Sequence, residues 1–263
     1  MKTILEIKDS FFNKLTILRN YYMSSLLENE LANTQIEKNK YDSVSLESKY
    51  KNEENKFIFG RKDDGFLATE VEVNECIHMI TSNKEKTKML INLLIINLCS
   101  AFESFLIELF EYYLKSYPEH INNSQKQMKL QDVFKFNDFN ELKEDLIVQE
   151  IKSYVFRSLE KQITDLEEHY KVKFGFSSES RAAKVIFIKR NCIVHNQSLV
   201  NKELFEMLTH EQKSRNSIGK PINTSEFEFS EEIHLLNIMG RRIVTTIQTE
   251  ISEQSEKHKN LIT

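Results

Sequence analysis

The segment KRNCIVHNQSLVNKEL, residues 189–204, carries an arginine and a histidine on one helical stretch. Arg190 falls three residues after Phe187 and four before Val194, so it occupies a position in an otherwise apolar stripe. A guanidinium there needs a carboxylate or an anion to offset its desolvation. His195 follows at i+5, about 140° round the helix, while Asn191 shares the histidine's face. Histidine titrates near neutral pH and so moves protons, and a guanidinium fork matches the oxygens of a phosphate. One helix does not close Arg190 and His195 onto a single small group. Two copies meeting across a two-fold axis do, because each supplies an arginine and a histidine to a shared cleft. The plainer reading is an arginine paired with a core carboxylate and a histidine near a helix C-terminus, stabilised by the dipole.

With 8 arginines and 7 histidines in 263 residues, chance alone yields R-x4-H about 0.2 times, so the surroundings must decide. From Lys171 to Lys202, seven Lys or Arg stand against one Glu, a balance of +6 inside a chain that totals −4. That local field suits a phosphate, whereas the chain as a whole lacks the basic field of a general nucleic-acid binder. Glu103 is a second anomaly. It lies between Ile96, Cys99, Ile107 and Phe110 on its own helix, where apolar neighbours would bury a carboxylate, and its natural partner is Arg190 or His195. The plainer alternative pairs Glu103 with a lysine at the bundle's rim.

Metal chemistry is the rival. E-x-x-H occurs at Glu75 with His78 and at Glu231 with His234, the spacing used by ferritin-like di-iron bundles. Chance supplies about 0.9 copies in this composition, and a start of the last helix near Ser230 would place His234 in its first turn, awkward for a core ligand. No Cys and His spacing suggests zinc, no Gly-rich loop cradles a nucleotide, and no nucleophilic serine motif is present. We therefore expect no metal and no cofactor.

The elements that position these residues are helices. Gly and Pro together number 7 of 263, too few for the turns of an all-β protein. Ile4, Ile7, Phe11, Leu15, Leu18, Tyr22 and Leu26 mark an amphipathic helix over 3–31. Residues 32–56 are polar, a solvated helix extension or a linker, and FIFGRKDDGF reads as a turn or short hairpin. Helical character resumes near Ala68, and residues 84–116 are apolar almost all round, as in the central helix of a bundle. A polar loop from Pro118 to about Lys129 precedes helical segments at 139–147 and 148–170. The signature helix spans 179–198, with Ala182, Val185, Ile186 and Ile193 as its core stripe. A short helix over 199–213, a loop or small hairpin, and a final helix capped by Ser230 complete the chain. Residues 1–66 read as an N-terminal helical extension, 67–258 as the bundle and 259–263 as a tail.

Cys76, Cys99 and Cys192 lack C-x-x-C spacing and suit free thiols in a reducing cytosol. The N-terminus lacks a signal-peptide core. The most apolar stretch, from Met89, meets Glu103 after 14 uncharged residues, short of the roughly 20 that span a bilayer. These features predict a cytoplasmic protein without a membrane segment.

Arg190, Asn191 and His195 match an Arg, a polar residue, three further residues and a His, and in this the chain resembles the HEPN superfamily of helical-bundle ribonucleases. HNQSLVNKEL is similar to the tail of many bacterial members, and NLLIINLCSAFESFLIEL, with Glu103, is similar to the family's earlier acidic helix. The resemblance covers roughly residues 70–257, with only the signature specific. It implies an all-α, up-and-down bundle and a metal-independent endoribonuclease whose active site is composite across a homodimer. Arg190 and His195 would be catalytic, Asn191 and Glu103 would orient them, and Lys184, Lys189 and Asn196 would touch RNA phosphates. It also implies a toxin or anti-phage effector held silent by an antitoxin or other inhibitory partner. The alternative from another class is a catalytically silent bundle of the same type that dimerises or binds a ligand.

Overall fold

Apolar residues at steps of three and four dictate helices, and helices dominate the computed structural model. It describes residues 2–47, 56–59, 69–118, 130–134 and 136–260, with side chains outside 28–85, 119–130, 132 and 254–260. In chain order these are α1 (Ile4–Glu47), β1 (Lys56–Phe59), β2 (Thr69–Glu72), α2 (Val73–Ser116), α3 (Leu130–Val133), α4 (Phe139–Val155), α5 (Leu159–Tyr170), α6 (Glu179–His195), α7 (Lys202–Met207), α8 (His210–Arg215) and α9 (Glu226–Asn260).

The chain divides into two compact units, Arg19–Leu94 and the pair of segments Met1–Leu18 with Ile95–Thr263. The first contains an antiparallel hairpin in which Lys56 pairs with Glu72 and Phe59 with Thr69. Of the FIFGRKDDGF run, expected as a turn or short hairpin, Phe57–Phe59 lie in the first strand of that hairpin and 60–66 lie outside the described residues, as do 119–129 of the expected polar loop.

The second unit is a helical bundle. Phe11 of α1 stacks on Phe105 of α2 with centroids 4.5 Å apart, and meets Phe102 edge-on at 5.7 Å. Phe102 in turn meets Phe187 of α6 at 6.4 Å. The ring of Phe11 also explains Gly240 in α9: a Cβ there would lie 2.5 Å from the ring, so the two helices approach only over a bare backbone. Phe110 stacks on Tyr154 of α4 at 4.0 Å, and the Tyr154 hydroxyl donates to the Gln162 carbonyl of α5. Polar side chains set the helix starts: Asp138 accepts from Asn140 and Glu141, Ser158 accepts from Lys161, and Thr209 forms a capping box with Gln212.

Five local expectations change. Helical character, expected to resume near Ala68, begins only at Val73, after strand β2. The 139–170 stretch breaks at Phe156–Ser158 rather than after 147, and Thr209 splits 199–213 into α7 and α8. The last helix begins at Glu226, where the Ser225 hydroxyl accepts from the Glu228 N–H at 3.2 Å, so His234 falls well inside it, not in its first turn. Finally, Lys86–Ser116 is long and apolar enough by composition to cross a membrane once Glu103 is tolerated in the window; half of that window is buried inside the protein.

Candidate functional site

The site is built on α6. Its buried face comprises Ala183, Val185, Ile186, Phe187, Ile188, Lys189 and Cys192, whereas Ala182, expected in the core, is exposed and Ile193 half-buried. Cys192 packs with Val200, Leu204, Leu208 and Ile222, which ties the C-terminal half of α6 to the segments that follow it.

Arg190 sits at the edge of this face, its side chain 23% exposed, and its Nη2 donates to Oε1 of Glu103 on α2. The guanidinium carbon lies 5.7 Å from the centre of the Phe187 ring, and Nε is buried without a hydrogen-bond partner. Glu103 is 31% exposed rather than enclosed, because its neighbours Ile96 and Ile107 are themselves only half-buried. Burial pushes its carboxyl above the usual range, against the opposing pull of Arg190. One turn earlier on α2, Cys99 is buried with its Sγ 3.9 Å from the Ile186 carbonyl, and burial drives that thiol far up. It is a packed, unreactive thiol. Of the two partners expected for Glu103, the structure selects Arg190.

His195 is the last residue of α6 and is exposed, as is Asn191 one turn before it. Its position is set by the backbone that follows. Gln197 and Ser198 both adopt left-handed conformations, with φ of 52° and 61°, which is uncommon for consecutive non-glycine residues. Asn196 and Ser198 N–H groups both donate to the Cys192 carbonyl, at 3.0 and 3.1 Å, and Asn196 Nδ2 donates to the Leu199 carbonyl at 2.9 Å. Ser198 and Val200 are then stitched to residues 219–222: Ile222 donates to Ser198, Gly219 donates to Val200, and Val200 donates to Lys220, all within 2.9 Å. The helix end that carries the histidine is thus clamped from two sides.

The remaining residues divide. Lys184 bridges to Glu160 of α5 at 3.0 Å, with both side chains open to solvent. Asn196 spends its amide on Leu199. Lys189 is 2% exposed and gives its ammonium to Glu228 and Glu232 of α9, so the expected phosphate contact does not fit its placement. Of the two E-x-x-H pairs, Glu231 and His234 both face solvent, and the side chains of Glu75 and His78 lie outside the described residues. Sequence reasoning missed Glu228 and Glu232. The signal was a second cation, Lys189, inside the apolar run VIFIK; Glu228 was obscured because 215–230 read as loop, and Glu232 because it read as part of the final helix's first turn.

What the arrangement offers chemically is a fixed, partly solvated guanidinium, and an exposed imidazole about 7.5 Å further along the same helix and about 140° round it. An anion can reach the first and a proton the second. No protein-family model matches the chain, and no curated protein or solved structure is significantly similar to it.

Proposed function

We propose that the protein is a metal-independent endoribonuclease of the HEPN type, acting as a homodimer. The observation that carries the reading is the Arg190–Glu103 pair, which holds a guanidinium at the surface of the helix that ends in exposed His195. The two side chains diverge on one helix, so the cleft is composed from two copies of α6, each contributing Arg190 and His195. Val194, beside the histidine, is 48% exposed, an aliphatic surface consistent with a contact there.

In that cleft the 2′-hydroxyl of a nucleotide loses its proton to His195 and attacks the adjacent phosphorus. The P–O5′ bond breaks, the 5′ oxygen takes up a proton, and a 2′,3′-cyclic phosphate remains. Arg190 stabilises the extra negative charge on the phosphoryl oxygens through the exposed part of its guanidinium. Glu103 holds the guanidinium in place, and Asn191 orients the imidazole or the phosphate. Lys184 and Asn196 extend the contact along the RNA backbone, while Lys189 is withdrawn from that role. An effector of this kind is cytoplasmic and kept silent by an inhibitory partner such as an antitoxin.

The test is cleavage of an RNA oligonucleotide in EDTA beside a DNA of the same sequence. RNA fragments ending in 2′,3′-cyclic phosphate, with DNA intact, are expected. Cleavage that vanishes with EDTA would instead require a metal, and intact RNA would favour the silent dimerisation or ligand-binding module.

A further inference from the structure

The buried cluster between α6 and α9 is unevenly paired. One ammonium, that of Lys189, faces two carboxylates, Glu228 and Glu232, and all three side chains are at most 10% exposed. Glu228 is satisfied: Lys189 and Gln212 donate to its Oε1, and Arg215 approaches its Oε2 at 3.4 Å. Glu232 is not. Its Oε1 accepts from Lys189 at 2.6 Å, while its Oε2 is buried without a partner. The carboxyl is thus enclosed, half-paired, and short of one donor.

Both carboxylates line a cavity of about 340 Å³, a volume typical of small-molecule sites. Its other walls include the aliphatic faces of Val185, Ile186, Met207 and Leu235. Arg181, Gln212 and Glu231 also line it, so the site joins an acidic floor, in which Oε2 of Glu232 lacks a donor, to an apolar wall. Among the described residues no three His, Cys, Asp or Glu side chains converge on a metal position.

We propose that this cavity binds a small organic cation, a primary ammonium on a short aliphatic chain, with the ammonium donating to Oε2 of Glu232 and the chain lying on Val185, Ile186 and Leu235. The last torsion of a glutamate is soft, so a small rotation turns Oε2 toward the cavity without displacing Lys189 from Oε1. The ammonium pairs the Glu232 oxygen that Lys189 leaves free, Glu228 being already paired with Arg215. Burial, which pushes the Glu232 carboxyl up against the pull of Lys189, is offset in the same way. Each methylene laid on the aliphatic wall strengthens binding about fourfold until the wall is covered. This site is separate from the RNA reading: it faces the N-terminal half of α6, and Arg190 is not among its lining residues.

The experiment is thermal unfolding of the full chain with butylammonium, pentylammonium, pentanol or pentanoate, each at about 10 mM so that a weak complex registers as stabilisation. The two ammonium ions should raise the melting temperature in a saturable way, pentyl at lower concentration than butyl, while pentanol and pentanoate leave it unchanged. Glu232→Gln should weaken the pentylammonium effect at least about tenfold. Ala182→Trp, at an exposed position lining the cavity, should fold as the native chain does and lose the effect, which keeps the test decisive if Glu232→Gln misfolds. The proposal is overturned if pentanol stabilises as well as pentylammonium, if neither ammonium does, or if the effect survives in Ala182→Trp. Arg190→Ala should retain it whether or not the protein cleaves RNA.

Discussion

Replacing Lys189 with methionine tests how the core of α6 tolerates charge. The ammonium is 2% exposed and touches two carboxylates that are 10% and 8% exposed. Burial pulls its pKa down, but the two carboxylates outweigh burial and hold it above the ordinary value, so it is charged at neutral pH. Removing one partner of a buried ion pair costs about 3–5 kcal/mol, because the other charge is left uncompensated. Methionine keeps most of the stem volume, and Gln212 and Arg215 remain on Glu228, so the lower end, about 3 kcal/mol, is expected. At about 2–4 °C per kcal/mol for a chain of this size, the melting temperature should fall by about 6–12 °C. The assay is urea and thermal unfolding followed by helical circular dichroism. Adding Glu232→Gln to Lys189→Met removes one of the stranded charges and should recover about half of the loss, since coupled residues are not additive. A Lys189→Met variant within about 0.5 kcal/mol of the native chain would mean that the two carboxylates do not depend on this ammonium, as would a double variant weaker than the single one.

Three further outcomes are expected. Gly240→Ala places a methyl 2.5 Å from the buried Phe11 ring and should destabilise by about 1–2 kcal/mol in urea unfolding, although alanine is the better helix former; a more stable variant would mean that the ring moves freely. Glu103 has a raised carboxyl pKa in the folded state, so between its unfolded value of about 4.3 and its higher folded value the native state binds more protons and stability falls as pH rises. In Glu103→Gln that part of the slope should disappear from the pH dependence of unfolding. Equal mixing of inactive Arg190→Ala and His195→Ala chains makes about half of the dimers mixed, each with one intact Arg and one intact His in its shared cleft, and should restore part of the RNA cleavage. No recovery after subunit exchange would place each site within one chain.

Periodicity carried most of the fold. The stripe from Ile4 to Tyr22 buries Ile4, Ile7, Phe11, Leu15 and Tyr22 as its spacing requires, and the apolar face of α2 buries Leu98, Phe105 and Leu109. Boundaries were less legible where the signal is a single hydroxyl. Ser225 and Ser230 both precede acidic residues, and only the hydrogen bond from Glu228 distinguishes the true start of α9. The Glu103–Arg190 contact was legible as two charges out of place in apolar stripes. Lys189 was equally out of place, but of its partners Glu228 lay in a stretch of poor periodicity and Glu232 read as part of a first helical turn. The left-handed pair Gln197 and Ser198 carries no such signal, since neither is glycine or asparagine. Tertiary hydrogen bonds to 219–222 impose that turn, and no local pattern records them.

The most direct test of the central claim is the rate of RNA cleavage in EDTA by the native chain, Arg190→Ala and His195→Ala, each checked for unchanged helical content. The native chain should cleave, and each variant should lose at least about a hundredfold in rate, the contribution of a general acid or base or of a positioned cation. Cleavage that persists at the native rate in both variants would contradict the account.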